Sequence, residues 1–293
     1  MTNPKQIPAS IDDLISEALV IEGQDAQVAG EVGYMARALV QATLPHKKQS
    51  EHYFKRKNGN YSLSIIADPD IGLPYGVIPR LLLAWMTTEA VRTKERNLVL
   101  GDSLSSFMRE LDIVPTGGRW GSITRLKDQM RRLFSASVKA HYQEGGVGDI
   151  GKTITPVDEY QLWWSPKQPQ QAALWESTIR LGEGFFNEVV NNPVPIDLRA
   201  LKALKKSPMA LDVYMWLTYR MFYLKKSTKI SWESLQMQFG SNFADNKTGR
   251  QGFKRGFNLA LSKVQIVYPE ARINPDDKGV LLMPSKPHVK RLK

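Results

Sequence analysis

Leu211-Asp-Val-Tyr-Met-Trp-Leu-Thr-Tyr-Arg220, Ser231-Trp-Glu-Ser-Leu-Gln-Met-Gln-Phe-Gly240 and Gly252-Phe-Lys-Arg-Gly-Phe-Asn-Leu-Ala-Leu261 follow one another as three amphipathic segments. Two short strand-like runs come next, Gln265 to Ile273 and Gly279 to Met283, separated by Asn274-Pro275-Asp276-Asp277. Helix, helix, helix, strand, turn, strand is the order of a winged helix-turn-helix, whose third helix can enter the major groove of DNA. The fold expected from this stretch is α+β, with the wing formed by the two strands.

Charge sets this stretch apart from what precedes it. The chain of 293 residues carries a formal charge of +11, and from Pro193 onward there are 19 Lys and Arg against 7 Asp and Glu. Residues 1–192 hold the remaining 21 against 22. A near-neutral two thirds joined to a basic third points to one module that faces a polyanion. Zero cysteines exclude disulfides, thiolate catalysis and zinc fingers. No apolar run is long enough to cross a bilayer and Met1 to Gln6 lacks the features of a signal peptide, so the expected location is the bacterial cytoplasm, on nucleoid or plasmid, with no membrane partner.

Working outward toward the N-terminus, Ser207-Pro208 starts the first helix of the basic module, and Leu198, Leu201 and Leu204 mark a short helix before it. Asn191-Asn192-Pro193-Val194-Pro195 is the expected boundary, because the charge balance changes there and proline resists regular structure. Ahead of it, Thr178 to Leu181 and Gly184 to Val190 read as a strand hairpin around Gly182-Glu183. Tyr61 to Ala67 alternates like a strand, Pro79 opens a helix running to Arg92, and Asn97 to Leu100 is a short strand. A helix over Leu104 to Leu111 follows, capped by Ser103 or its neighbour. The next helix starts at Trp120 and ends near Ser135, with Ile123, Leu126, Met130, Leu133 and Phe134 on one face and Arg125, Asp128 and Arg132 opposite. Strand-like Val138 to Gln143, a glycine-rich turn and strand-like Thr153 to Trp164 repeat the order of elements seen at the C-terminus, as a diverged duplication would. Toward the start, Ser10 is a candidate cap for a helix ended by Gly23, a second helix is expected over Ala26 to Leu44, and basic His46 to Asn60 reads as a loop. Three regions result: an N-terminal helical segment (1–50), a first winged-helix domain (51–191) suited to dimerisation and DNA contact, and a second, basic one (192–293).

Helical spacing sets Phe253, Phe257, Ala260 and Val264 along one stripe of the third C-terminal helix, with Gln251, Arg255, Asn258 and Ser262 opposite and Arg250 and Lys254 on the flank. Arginine pairs with guanine and Gln or Asn with adenine through bidentate hydrogen bonds, whereas lysines suit phosphates. Lys225, Lys226 and Lys229, and in the tail Lys286, Lys290, Arg291 and Lys293, would add sequence-independent contacts. In the first module, Arg125 and Arg132 are the matching candidates.

A rival signal is Gly146-Val147-Gly148-Asp149-Ile150-Gly151-Lys152-Thr153, a literal GxxxxGK[ST]. A nucleotide loop of that kind needs a helix after it, and Ile154-Thr155-Pro156-Val157 is β-branched and broken by proline. The stretch therefore reads as a wing turn, with Lys152 a candidate phosphate contact, and an ATP-dependent nucleic-acid enzyme is the different-class alternative. His46, His52, His141 and His288 stand singly, without metal-ligand spacing, and no GxSxG elbow occurs. No catalytic residue, metal or cofactor is expected.

Gly72-Leu-Pro-Tyr-Gly-Val-Ile-Pro-Arg-Leu-Leu-Leu-Ala-Trp85, Leu104-Ser-Ser-Phe-Met-Arg-Glu-Leu111, Gly117-Gly-Arg-Trp-Gly121, Tyr214 to Arg220 and Gly252 to Leu261 together resemble plasmid-encoded replication initiators of the RepA type, over roughly residues 70 to 285. The first 60 residues lie outside the likeness. The resemblance implies two winged-helix domains that bind repeated double-stranded sites at a plasmid origin and recruit the host initiator and replicative helicase. By looser analogy it implies homodimers that repress their own gene, in equilibrium with monomers that start replication. It carries over segments rather than contact residues. A winged-helix transcriptional regulator is the nearest alternative.

Overall fold

The computed structural model describes residues 9–144, 148–165, 167–172 and 176–290. In chain order the elements are α1 (Ala9–Gly23), β1 (Val32–Ala36), α2 (Arg37–Gln41), β2 (Tyr53–Asn58), β3 (Tyr61–Ile66), α3 (Val77–Thr93), β4 (Asn97–Val99), α4 (Leu104–Glu110) and α5 (Ser122–Phe134). Then come β5 (Ser137–Glu144), β6 (Gly148–Thr153), β7 (Val157–Gln161), β8 (Thr178–Leu181), α6 (Glu183–Asn191), β9 (Pro193–Asp197) and α7 (Leu198–Leu204). The chain continues through α8 (Pro208–Tyr223), β10 (Thr228–Ser231), α9 (Trp232–Phe239), α10 (Lys247–Val267), β11 (Ile273–Pro275) and β12 (Gly279–Leu282). Helices alternate with antiparallel sheets, so the class is α+β. By contact, one unit takes in Met1–Gly33, Pro195–Trp232 and Ala244–Lys293, and the other Tyr34–Val194 and Glu233–Phe243. Among the described residues no helix is long and apolar enough to cross a membrane.

In the first of these units α8 supplies the core. The Ser207 hydroxyl accepts the Ala210 amide at 3.2 Å and Pro208 sits in the first turn, where its missing N–H costs nothing. Leu211, Val213, Tyr214, Met215, Trp216 and Leu217 are all buried, so the helix is enclosed around most of its circumference. α10 begins at Asn246, whose side chain accepts the Gly249 amide at 2.8 Å. A side chain at position 249 would run into the Ala244 carbonyl, which explains glycine there. Phe253, Phe257, Ala260 and Val264 point into the core, where Phe257 meets Trp216, Trp232 and Phe253 at ring-centroid distances of 6.4, 5.9 and 5.6 Å. α1 packs on α7 and α10. Strands β10, β12 and β11 form an antiparallel sheet in that order.

A buried polar cluster fastens the C-terminal segment to α8. The Tyr214 hydroxyl accepts the Asp197 amide at 2.9 Å and lies 2.8 Å from Nδ1 of His288, to which it donates when that nitrogen is unprotonated. Tyr268 lies against the same imidazole at 4.6 Å. Burial pushes the His288 pKa below its ordinary 6.5, outweighing the attraction of Asp197 and Glu270 for a proton. Above pH 6.5 both folded and unfolded states hold a neutral ring and the cluster contributes fully. As pH falls below 6.5 the unfolded chain takes up the proton first, and stability declines by at most about 1.4 kcal/mol per pH unit until the folded pKa is passed. Urea unfolding at pH 7.5 and 5.5 should show this decline, and His288→Gln should remove it. Equal pH dependence in both proteins would rule out His288 as its source.

In the other unit, Ser103 and Ser106 form a reciprocal capping box at the start of α4, both bonds at 3.1 Å. Ile123, Leu126, Met130, Leu133 and Phe134 of α5 are all buried, the face anticipated from spacing. Two antiparallel sheets complete the unit, β4-β8-β7 and β2-β3-β5-β6. The order α3-β4-α4-α5-β7-β8 with sheet β4-β8-β7 repeats α8-β10-α9-α10-β11-β12 with sheet β10-β12-β11. Between α5 and β7 the earlier set of elements also contains the hairpin β5-β6, which pairs with β3 instead.

Several expectations are corrected. Ala26 to Leu44 is not one helix: left-handed Gly30 (φ 70°) interrupts it, Val32–Ala36 is a strand, and only Arg37–Gln41 is helical. His46 to Asn60 is not all loop, since Tyr53–Asn58 pairs with Tyr61–Ile66 across a tight turn in which Gly59 takes φ 57°. Gly184 to Val190 belongs to α6 rather than a hairpin, with Phe185, Glu188 and Val189 buried at helical spacing. Gln265 to Val267 continues α10, which leaves β11 only three residues. Ser10 lies within α1 and does not precede it.

Candidate nucleic-acid interface

α10 carries Lys247, Arg250, Lys254, Arg255 and Lys263 and no carboxylate. Its buried aromatic stripe fixes which way the other side points. Gln251, Arg255 and Ser262 are exposed on that side, joined by Leu259, which is 61% exposed. Asn258 is half-buried, with a buried side-chain oxygen that has no partner in the structure, while Ser262 donates to the Asn258 backbone carbonyl at 2.9 Å. The face therefore brings together an exposed guanidinium and an exposed amide, the groups that pair bidentately with guanine and adenine. Asn258 stands at its edge.

The flanking cations are less available than helical phase alone suggested. Arg250 is held by Asp245 at 2.8 Å. Lys254 donates to the Asp277 carbonyl at 2.8 Å and lies over the Trp232 ring at 5.4 Å. Lys229 pairs with Asp276, whose carboxyl is drawn below its ordinary range chiefly by that bond and then by the Lys278 amide. These contacts tie α10 and β10 to the β11-β12 turn, so part of the positive charge steadies the turn. Lys225, Lys226, Lys286 and Lys290 are exposed. Arg291 and Lys293 lie outside the described residues.

In the other unit Arg125 is exposed on α5, whereas the side chain of Arg132 is 12% exposed. Arg132 pairs with Asp128 at 2.8 Å and lies over Tyr75 at 5.5 Å. Sequence reasoning passed over Lys127, Arg131 and Arg119, all exposed, and Trp120, 81% exposed under the Arg119 guanidinium. Extending the polar phase of α5 to every cation on it would have found the first two. Lys152 pairs with buried Glu188 at 3.1 Å, beside Arg37 at 3.3 Å, and so serves the interior of its unit. Gly148–Thr153 is a strand and the next element is another strand, so no helix N-terminus follows to hold a nucleotide phosphate. Gly146 and Val147 lie outside the described residues. No cluster of three or more His, Cys, Asp or Glu among the described residues could hold a metal ion.

The fold is similar to that of two solved structures of domains 2 and 3 of RctB. The RctB-155-483 structure aligns with a TM-score of 0.50 at 10% identity, over 83% of this chain and 94% of that one. A selenomethionine derivative of the same two domains gives 0.52 at 11%, over 86% and 99%. At such identity the likeness is one of fold. No curated protein matches the sequence. The family described as "Plasmid encoded RepA protein" matches residues 73–234, more than half of the chain, and the chain belongs to that family of plasmid replication initiators. The match runs from just before α3 into α9 and stops short of α10, so the resemblance read at Gly72 to Trp85 lies largely within it and that at Gly252 to Leu261 lies outside.

Proposed function

We propose that this chain starts plasmid replication by binding double-stranded repeats at an origin through two winged helices, α3 to β8 and α8 to β12, with α10 in the major groove. The observation that carries this reading is the exposed, acid-free Gln251-Arg255 face of α10, held in phase by Phe253 and Phe257. Family membership supports the replication role. In the paired sheets, the β11-β12 turn serves as the wing of the second module. Arg255 and Gln251 read bases, and Asn258 and Ser262 border them. Lys225, Lys226, Arg250 and Lys254 meet phosphates, the last two after giving up their present partners, as does Arg125 in the first module. On this reading the bound initiator recruits the host initiator and replicative helicase in the bacterial cytoplasm, and dimers repress the gene while monomers initiate.

Footprinting over the plasmid origin tests the reading, with protection of direct repeats beside an A·T-rich stretch expected. Arg255→Ala should weaken cognate binding by about 1–3 kcal/mol and relax preference at one base position, whereas Arg250→Ala should weaken all sequences alike. If both substitutions act uniformly on every sequence, α10 does not read bases. Normal replication of a plasmid lacking this gene would sink the initiator role altogether.

A further inference from the structure

One group of unengaged cations of the second unit, Tyr34–Val194 with Glu233–Phe243, lies on the β2-β3-β5-β6 sheet. Alternation along β2 buries Phe54 and leaves Tyr53, Lys55 and Lys57 exposed on the opposite face. The register continues that face across the sheet. Lys55 stands opposite Ser64, which stands opposite Lys139, and Lys57 stands opposite Ser62, which stands opposite His141. Directly paired residues share a side of the sheet and adjacent strands lie about 4.8 Å apart, so Lys55 and Lys57 of β2 and Lys139 of β5 flank a floor roughly 10 Å across. The floor is two serines, Ser64 half-buried and Ser62 buried beside it. Tyr53 and Ile66, paired and exposed, close one end.

Charge on this face is unbalanced. Among the described residues Lys55, Lys57 and Lys139 have no recorded ion pair or side-chain hydrogen bond, in contrast to Lys229, Arg250 and Lys254. Asp149 of β6 also reaches this face, where it is paired with His141. Three ammonium groups on two sides of a hydroxyl floor complement a narrow polyanion that can accept from serine O–H and neutralise lysine from both flanks. A membrane surface would call for exposed apolar side chains along the face, and apart from the Tyr53-Ile66 end the face is polar.

We propose that this trough holds one phosphodiester backbone of DNA without regard to sequence, as a contact separate from the base-reading face of α10. Lys55, Lys57 and Lys139 neutralise phosphates, and Ser64, between Lys55 and Lys139, donates to a phosphate oxygen. The backbone comes either from an unpaired strand or from one strand of a duplex, the shared chemistry being a row of phosphates.

The test uses the full chain with two probes, a single strand of arbitrary sequence and the duplex of that sequence, with affinity measured as salt is varied. Replacing Lys55, Lys57 and Lys139 together by alanine should reduce the slope of log affinity against log salt by about 2 on the single strand, or by nearly 3 on the duplex, from about 0.7 and 0.9 per phosphate. A reduction on one probe alone names the source of the backbone, and a reduction on both supports phosphate binding from either. Lys139→Ala alone should lower the slope by about 0.7 to 0.9, which serves if the triple variant folds poorly. The triple arginine variant should keep the original slope. Unchanged slopes on both probes, or loss in the arginine variant as well, would overturn the proposal. Arg255→Ala, run in parallel on cognate duplex, should lose base preference, whereas the lysine variants should keep base preference and lose slope, so failure of the trough and failure of the α10 reading give different results.

Discussion

Replacing Arg80 by methionine is expected to lower the unfolding free energy of the unit containing it by about 3–5 kcal/mol. Arg80 lies in α3, 1% exposed, and its guanidinium donates to the carbonyls of Leu44, Pro45 and Gly76 at 2.8, 3.3 and 2.5 Å. Methionine keeps most of the volume and removes every donor, so the three carbonyls lose a strong partner in a place that water does not reach. An orphaned buried acceptor costs about 1–3 kcal/mol, which makes the sum of three partial losses larger than the cost of any surface change. The same bonds bring the segment before α3, with left-handed Gly76, against Leu44-Pro45. Arg80→Lys should fall between wild type and methionine, because one ammonium cannot replace the fork. Denaturant unfolding measures both variants, and a loss under about 1 kcal/mol for methionine would show that the carbonyls find other partners.

Phe257→Ala is expected to cost a similar 3–5 kcal/mol and, in addition, to abolish cognate DNA preference. The ring is fully buried among Trp216, Trp232 and Phe253. Removing it opens a cavity on the side of α10 that packs on α8, and the helix loses what fixes its rotation. Gln251 and Arg255 are then no longer presented in one direction. Arg255→Ala makes the opposite comparison: the side chain is exposed, so unfolding should shift by less than about 0.5 kcal/mol while base preference suffers. Phe257→Leu retains much of the volume and should recover most of both properties. Undiminished base preference in folded Phe257→Ala protein would mean that the face does not depend on α8 for its orientation.

The elements most legible in the sequence are those whose signals are local. Ser207-Pro208 opens α8 and Ser103 caps α4, because a cap and a proline act within one turn. The apolar phases of α5 and α10 are local too, and both come out buried as spacing implies. Where the reading failed, neighbours far along the chain decided. β2 has Phe54 as its one buried residue, too weak an alternation to distinguish strand from loop, and its pairing with β3 supplies the missing information. Phe185-Phe186 and Val189-Val190 fit a strand by propensity, yet the segment forms α6, which packs on α3. Gly30 and Gly33 were tolerable in a helix by composition alone, and the left-handed backbone at Gly30 ends that possibility.

Of the candidate site, the direction of the α10 face was readable, since 3.6-residue periodicity fixes what lies opposite Phe253 and Phe257. Which cations remain available was not. Asp245 and Asp276 claim Arg250 and Lys229, the Asp277 carbonyl claims Lys254, and Glu188 claims Lys152. Strand register assembled Lys55, Lys57 and Lys139 around Ser62 and Ser64 from three segments with no common motif. The sequence by itself determined the family, the α+β order of elements and the excess of positive charge toward the C-terminus. Tertiary structure alone decided where that charge is already spent and where it is free, because pairing depends on distances between side chains that only folding brings within a few ångströms.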